Sequence, residues 1–272
     1  MNEILRAILI GIVQGLTEFL PVSSSGHIEI GQALLDLDYA QYEDQFSVVL
    51  HAATALSTII VFWKDIVQIL SGLFARPTKP EGGLNNAWLF SLKIVLSMIP
   101  AAVVGLVFEE ELSALFDGRI LLVGCMLLLT GALLFLADRA KQTDRKVGFG
   151  HALLIGLAQA IAILPGISRS GATISTSVLL GIDREQAARF SFLMVVPLIL
   201  GKMAKDILDG QLAASDELLL PFAAAFVAAF LTGLFACRWM IRIVKNSQLK
   251  YFSYYCFIVG TLAIGAALMS AG

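Results

Sequence analysis

The chain has 272 residues, of which 58% are hydrophobic and only 15% are charged, and its mean hydropathy is +0.83. A soluble core of this size does not require so apolar a composition, so the sequence predicts an integral membrane protein. The net charge of −2, without a long basic stripe, argues against nucleic acid as a partner.

The apolar runs predict helices rather than a barrel, because they are continuous and do not alternate with polar residues. In chain order the pattern is two short helices followed by three long ones, and then the same again. About six stretches approach the roughly 20 apolar residues that a span needs. The ten predicted helices cover residues 2–20, 25–36, 44–64, 85–107, 118–138, 150–164, 171–182, 186–208, 218–244 and 251–270.

Short sequence matches recur between the two halves at an offset of 144 or 145 residues, among them Leu20-Pro21 with Leu164-Pro165 and Ser23-x-Ser25-Gly26 with Ser168-x-Ser170-Gly171. The shared offset predicts a duplicated half within a single membrane domain. The first repeat is predicted at 1–140, with a hairpin over 2–36 and three spans. The second is predicted at 146–272, with a hairpin over 150–182 and three spans.

Loop charges predict how the chain crosses the membrane. Lys and Arg are concentrated in 64–80, 138–147 and 238–250, which we place in the cytoplasm, whereas 36–44 and 109–117 are acidic and belong outside. The mixed 202–217 segment favours the outside only weakly. Three crossings per half is an odd number, so the second repeat is inverted and each short helix pair is a re-entrant hairpin. Both termini are then predicted outside.

Polar residues interrupt the apolar sequence at the two hairpin tips, which read EFLPVSSSGH over 18–27 and ILPGISRSGAT over 163–173. Each hairpin breaks at a proline, Pro21 or Pro165, and helix then resumes. Free N–H groups and serine hydroxyls at a helix start attract anions. The guanidinium of Arg169 costs about 2.5 kcal/mol or more in a membrane unless it is paired, and its planar fork suits phosphate oxygens. We therefore predict a phosphate site between the tips.

The carboxylate of Glu18 would repel phosphate unless a divalent cation bridges the two. Gln14 lies four residues earlier on the same helix face, so the pair could offer hard oxygen ligands to Mg²⁺ or Ca²⁺. His27 follows Ser24 by three residues, and resumed helix would place both on one face. Ser24 is therefore a candidate nucleophile with His27 as its acid/base partner.

Each of these features has a simpler structural interpretation. The serines could be helix caps, Gln14 and Gln159 could bridge helices, and Glu18 with Arg169 could be a structural ion pair. We assign His51 and His151 to packing or interface roles. The confinement of so many polar residues to two tips favours a functional site, which a purely structural membrane protein would leave unexplained.

The two motifs QGLTEFLPVSSSGH (14–27) and PGISRSGAT (165–173) resemble the signatures of the bacitracin-resistance-type undecaprenyl-diphosphate phosphatase family, and the resemblance extends over essentially the full length. It implies a membrane enzyme that hydrolyses a C55 polyprenyl diphosphate to the monophosphate and inorganic phosphate. That reaction recycles the lipid carrier of cell-wall synthesis and confers bacitracin resistance.

The resemblance also implies residue roles. Glu18 would be the essential carboxylate, Ser24 the nucleophile, His27 its acid/base partner and Arg169 the phosphate-binding cation, while Gln14 stands where some members carry Glu. Whether Ser24 forms a phosphoseryl intermediate, or His27 or water acts directly, stays open. The predicted substrate-binding residues are Gln14, Ser23, Ser25, Gly166, Ser168, Ser170, Gly171 and Thr173.

A rival function is a secondary transporter or lipid flippase, because such proteins also use inverted repeats and a midplane anion site. Transport does not require the pair Ser24 and His27, which favours the enzyme. The predicted location is the bacterial plasma (inner) membrane, as a multi-pass protein whose site is reached from the outer face. The partners are the lipid diphosphate and membrane lipids, and a homodimer is compatible with the sequence.

Overall fold

The computed structural model describes residues 3–28, 43–74, 84–108, 111–112, 115, 119–208 and 216–270. These residues form an all-helical fold without strands, apart from an isolated bridge between Arg145 and Ile182. Residues 24–28 are also helical. The longer helices are α1 (Glu3–Thr17), α2 (Glu43–Val61), α3 (Trp63–Phe74), α4 (Leu84–Val107), α5 (Ile120–Arg139), α6 (Phe149–Ile161), α7 (Arg169–Leu179), α8 (Arg184–Leu208), α9 (Asp216–Lys245) and α10 (Lys250–Ser270).

Five helices of the described chain are long and apolar enough to cross a membrane, namely α4, α5, α8, α9 and α10. A sixth span is available if α2 and α3 are counted as one. The chain is therefore an all-α, multi-pass membrane protein, as its composition predicts. The predicted helix limb 29–36, the loop 36–44 and most of the loop 109–117 lie outside the described residues, as do parts of 64–80 and 202–217.

The predicted span 44–64 differs from the structure at its second end. Helix α2 stops at Val61, the chain bends by 77°, and α3 continues where the sequence predicts a loop from residue 64. Helix α3 is amphipathic: Ile66 and Ile69 pack against the core, whereas Val67 is exposed. An ion pair between Asp65 and Arg189 attaches α3 to α8. The charged residues near the start of α3 are typical of a loop in sequence, but Asp65 forms a tertiary contact with α8.

Helix contacts are equivalent between the two halves. Helix α1 packs on α9, and its counterpart α6 packs on α4, the counterpart of α9. The pairs α5 with α10 and α2 with α8 each join a helix to its own counterpart. This exchange of partners is what a two-fold related duplication produces. The repeat boundaries at 140 and 146 stay a prediction.

Glycines allow the closest of these contacts. A Cβ on Gly11 of α1 would overlap the carbonyl oxygen of Ala225 on α9, and a Cβ on Gly156 of α6 would overlap that of Ser97 on α4. Between α5 and α10, Gly124 and Gly260 face each other, each with its Cβ position within 2.9 Å of the other's carbonyl oxygen. Small residues at helix crossings let backbones approach closely. Here they allow close packing of α1 and α6, which lead into the two tips, and of α5 against α10.

Candidate functional site

The first tip begins where α1 ends. Helix α1 stops at Thr17, four residues before Pro21, and helical geometry resumes at Ser24. Gln14 is fully buried and Glu18 is 7% exposed. The carboxylate Oε2 of Glu18 accepts hydrogen bonds from Ser24 Oγ at 2.8 Å and from Gln14 Nε2 at 3.2 Å. The tip therefore converges its polar side chains on one buried carboxylate.

The second tip brings a guanidinium to the same carboxylate. Arg169 is the first residue of α7, and its Nη2 forms an ion pair with Glu18 Oε1 across a sequence separation of 151 residues. Ser170 Oγ also donates to the carbonyl of Leu20 at 3.3 Å. The predicted meeting of the two tips is thus formed in the structure. The Arg169 side chain is 24% exposed, whereas the Glu18 side chain is 5% exposed, so the guanidinium is the more accessible member of the ion pair.

Serines cap both resumed helices in the same way. Ser23 Oγ accepts from the N–H of Gly26 at 3.3 Å, and Ser168 Oγ accepts from the N–H of Gly171 at 3.1 Å. In each tip the cap hydroxyl also bonds the serine two residues later, Ser25 at 3.3 Å in the first tip and Ser170 at 3.2 Å in the second. The capping interpretation therefore holds for Ser23 and Ser168, whose hydroxyls organise the tip backbone.

The two tips differ in backbone conformation at their caps. Ser23 has φ 70°, in the left-handed region, whereas Ser168 has an extended φ of −74°. A left-handed non-glycine residue costs on the order of 1–3 kcal/mol and persists only where its surroundings hold it. The strained residue directly precedes Ser24. In the second tip the positive φ, 91°, falls on Gly166, where glycine permits it.

His27 does not pair with Ser24 as the sequence predicts. Its Nδ1 bonds the carbonyl oxygen of Ser23 at 2.8 Å, and its Nε2 bonds the hydroxyl of Tyr255 on α10 at 2.6 Å. The carbonyl can only accept, so Nδ1 carries a hydrogen, and in the neutral ring Nε2 then accepts from Tyr255. Both ring nitrogens are engaged, and Ser24 turns to Glu18 instead. His51 makes the same contact with the carbonyl of Ser47, four residues earlier in α2, so the bond to Ser23 is a local one that a helical histidine can form.

Helices α5 and α10 hold the two tips from the side. Thr130 on α5 accepts from the N–H of Ser168 at 3.1 Å and approaches the carbonyl of Gly166 at 3.4 Å. On α10, the thiol of Cys256 contacts the carbonyl of Pro21 at 3.6 Å. Gly166 lies so close to α5 that a Cβ there would be 2.8 Å from Val123 Cα. The predicted substrate residue Gly166 therefore packs against this helix.

A small cavity lies beside the ion pair. Of the predicted site residues, Glu18, Arg169 and Ser170 line it. Its remaining polar lining comes from Thr54 and Thr58 on α2 and Ser191 on α8, which sequence reasoning did not assign to the site. The spacing of two threonines four residues apart in an apolar helix was an available signal. The apolar lining consists of Phe19, Phe192, Val195 and Ile199.

Thr173 supports the lining through Ser191. Thr173 is fully buried, donates to the carbonyl of Arg169 at 2.8 Å and shares a 2.6 Å hydrogen bond with Ser191. His51 bonds the carbonyl of Ser47 at 2.8 Å, and His151 accepts from the N–H of Gly148 at 3.2 Å. Both histidines bond locally, and His51 is also near enough to Glu18 to interact with its charge. The packing roles stay a prediction.

The donor set near Glu18 suits a hard cation in part. No group of three or more His, Cys, Asp or Glu side chains that could hold a metal occurs among the described residues. Gln14 Oε1, however, is a buried acceptor without a hydrogen-bond partner in that part of the chain, on the amide that bonds Glu18. Together with the carboxylate it offers oxygens of the type that Mg²⁺ and Ca²⁺ prefer, and phosphate and water would complete the shell.

Comparisons with known proteins match this chain along nearly its whole length. Residues 7–262 match the family described as bacitracin resistance protein BacA. The chain is 59% identical over 263 residues to an undecaprenyl-diphosphatase of Christiangramia forsetii, covering 96% of this chain and 97% of that protein. It is 45% identical over 266 residues to one of Bacteroides fragilis, and 38% identical over 266 residues to one of Halothermothrix orenii, each with 96% and 97% coverage.

Proposed function

This chain belongs to the family of bacitracin resistance protein BacA, and we propose that it hydrolyses undecaprenyl diphosphate to undecaprenyl phosphate and inorganic phosphate. The reaction recycles the lipid carrier of cell-wall synthesis, which accounts for bacitracin resistance. The observation that carries the proposal is the junction of the tips, where Ser24 and Arg169 share the carboxylate of Glu18 beside one cavity.

Arg169 supplies the charge that the diphosphate needs. Its guanidinium lines the cavity and is more exposed than the carboxylate it pairs with. A bound phosphate offers two or three charged oxygens to the guanidinium of Arg169. Arg169 can therefore replace its ion pair with Glu18 by one with the substrate phosphate. The exchange frees Glu18 Oε1 from Arg169, while Oε2 keeps the hydrogen bond from Ser24. Substrate binding thus leaves one carboxylate oxygen in place as the base for Ser24.

Ser24 is the nucleophile and Glu18 is its base in this proposal. Ser24 Oγ already donates its hydrogen to Glu18 Oε2 at 2.8 Å, the distance needed for proton transfer. Ser24 Oγ attacks the terminal phosphorus, its proton passes to Glu18, and the bridging oxygen leaves with undecaprenyl phosphate. Water then cleaves the phosphoserine, releases inorganic phosphate and restores the serine. Arg169 stabilises the charge on the transferred group.

A divalent cation is part of the proposal, held by Glu18 and the free Oε1 of Gln14. Mg²⁺ or Ca²⁺ would neutralise phosphate charge next to the carboxylate. Because Gln14 is neutral, the two protein ligands carry a single negative charge, so the affinity for the cation depends largely on the phosphate.

The membrane placement follows from the loop charges. We place the protein in the bacterial plasma membrane with both termini outside, the prenyl tail among the long helices and the diphosphate reached from the outer face. The inverted hairpins bring α1 and α6 to the site from opposite sides. A homodimer stays a prediction without a structural contact to support it.

The test is release of inorganic phosphate from a long-chain prenyl diphosphate by the purified chain in detergent. Detergent removes the two compartments, so a transporter or flippase would release no phosphate. We expect Arg169→Ala to lose most activity while staying folded. Arg139→Ala is the matched control, because Arg139 is exposed at the end of α5 and lies over the ring of Phe135. Near-normal release by Arg169→Ala would contradict its role.

The same assay with a chelator tests the cation separately. Loss of phosphate release on chelation, with recovery on adding Mg²⁺ or Ca²⁺, is the expected result. A chelated enzyme at full rate would remove the cation from the proposal and leave hydrolysis by Ser24, Glu18 and Arg169 in place.

A further inference from the structure

The ring of Tyr255 on α10 touches the first tip at a point outside the cavity lining. Its hydroxyl lies 2.6 Å from Nε2 of His27, and the two rings stack with centroids 5.5 Å apart and an interplanar angle of 15°. The contact joins residues 228 apart in sequence. Neither ring lines the cavity beside Glu18 and Arg169. The pair contacts the backbone of the tip next to Ser24.

His27 transmits this contact to the backbone of the tip. Because the carbonyl of Ser23 can only accept, Nδ1 of His27 donates to it at 2.8 Å, and in the neutral ring Nε2 accepts from the hydroxyl of Tyr255. The same carbonyl also accepts the backbone N–H of His27 at 3.2 Å. The carbonyl of Ser23 thus requires the Nδ1–H form, and Tyr255 holds the ring in the orientation that makes this bond. A His27 with its hydrogen on Nε2 would present a lone pair to that carbonyl and repel it.

The held carbonyl belongs to the left-handed residue of the tip. Ser23 has φ 70° and directly precedes Ser24, whose Oγ must reach Glu18 Oε2. If the Ser23 peptide relaxed toward an extended conformation, Ser24 would change direction. A strained backbone at a reactive residue persists only where neighbouring contacts over-determine it. The ring of His27 is such a contact.

The second tip provides an internal comparison. Ser168 at the equivalent cap has an ordinary extended backbone, with φ −74° and ψ 119°. Ala172 occupies the position equivalent to His27, so no ring holds this cap. The aromatic contact therefore occurs at the tip whose backbone is strained and whose next residue is Ser24. The second tip has an extended backbone at its cap and no such ring contact, which associates the contact with the left-handed backbone of Ser23.

We propose that Tyr255 is a positioning residue, which holds the ring of His27 against the carbonyl of Ser23 and thereby supports the left-handed turn that directs Ser24 at Glu18. This inference rests on the proposed function, in which Ser24 is the nucleophile. It also reassigns His27 from an acid/base partner of Ser24 to a link between α10 and the tip.

Steady-state kinetics with purified full-length variants test the proposal. Tyr255→Phe keeps the stacked ring and removes the hydroxyl, so we expect kcat for phosphate release to fall about 3- to 10-fold, the loss of one positioning hydrogen bond, with KM unchanged. Tyr254→Phe is the matched control, because Tyr254 is a neighbouring exposed tyrosine on the same helix. An equal loss in Tyr254→Phe, or a change confined to KM, would overturn the proposal.

A double-mutant cycle separates positioning from a general structural effect. In a His27→Ala background Tyr255→Phe should produce no further loss, because its action passes through the ring that has been removed. Replacing Tyr255 with Gln, which can donate to Nε2, should recover part of the activity lost in the phenylalanine variant. Independent, multiplying losses from the two sites would contradict the coupling.

Nitrogen NMR of histidine-labelled protein gives a readout that needs no activity. The chain has three histidines, and His27→Asn identifies the signals of interest. We expect a neutral Nδ1–H ring in the unchanged protein and, in Tyr255→Phe, a shifted Nε2 signal that reports the lost hydrogen bond. Unchanged His27 signals in that variant would refute the positioning role. If the unchanged protein released no phosphate, the proposed function would fail while this measurement still judged the Tyr255 contact.

Discussion

Replacing Gly11 with alanine tests the close approach of α1 to α9, which places Gln14 and Glu18 at the site. The new Cβ would lie 3.1 Å from the carbonyl carbon of Ala225 and would overlap its oxygen. Because backbone atoms cannot rotate away, α1 must withdraw by about 1 Å to restore van der Waals contact. Overpacking of this kind costs about 1–3 kcal/mol, of which the better helix propensity of alanine offsets up to about 1 kcal/mol.

The displaced helix carries the carboxylate with it. A misplacement of about 1 Å in a reacting group can cost on the order of 10²-fold in rate. We therefore expect Gly11→Ala to lower phosphate release about 10²-fold while the protein stays folded, with a modestly reduced Tm in detergent. The assays are initial rates and thermal unfolding of the same purified samples. Activity should fall much further than stability.

Gly105→Ala is the matched control, because Gly105 lies in α4 and a Cβ there meets no atom within 4 Å. We expect unchanged activity and a gain of up to about 1 kcal/mol in the free energy of unfolding from helix propensity. A fully active and stable Gly11→Ala protein would refute the reasoning, since it would mean that α1 and α9 are not in backbone contact.

Further substitutions test the chemistry and the scaffold. Glu18→Gln removes the base, so kcat should fall by about 10²- to 10⁴-fold, and a near-normal initial rate would assign proton transfer elsewhere. Ser24→Ala should abolish protein-bound label after acid quenching of a reaction with substrate labelled in the terminal phosphate; persisting label would place the nucleophile on another residue. Arg184→Met removes the donor to three carbonyls at the end of α5 and should lower unfolding stability by about 1–3 kcal/mol, whereas Lys141→Met in an exposed loop should leave Tm unchanged.

The parts of the fold that follow from local composition could be predicted from sequence. Long apolar runs gave the spans, and α5 and α10 lie within two residues of their predicted bounds at each end. The confinement of Glu18 and Arg169 to two broken segments predicted that these residues meet, and they do. The family resemblance carried by the two motifs is confirmed by the comparisons. In each case the signal lies within a short stretch of chain.

The parts that depend on distant contacts or on single backbone dihedrals could not be predicted. Lys64 and Asp65 resemble the start of a loop, and only the Arg189 partner on α8 explains why helix continues there. The pairing of Ser24 with His27 failed for a similar reason. Spacing places them near each other, but Ser24 bonds Glu18, while the His27 ring bonds the carbonyl of Ser23 and the hydroxyl of Tyr255, which is 228 residues away.

The matching tips carry different chemistry on one scaffold. By the offset that relates Ser23 to Ser168, Ser24 corresponds to Arg169 and Glu18 corresponds to Ile163. Two identical copies of the first tip would therefore place a serine opposite Glu18, and two copies of the second would place an isoleucine opposite Arg169. Either symmetric assembly would leave an ionised side chain without its partner in the membrane, at a cost of about 2.5 kcal/mol or more. The ion pair between the tips therefore requires that the two copies differ in sequence.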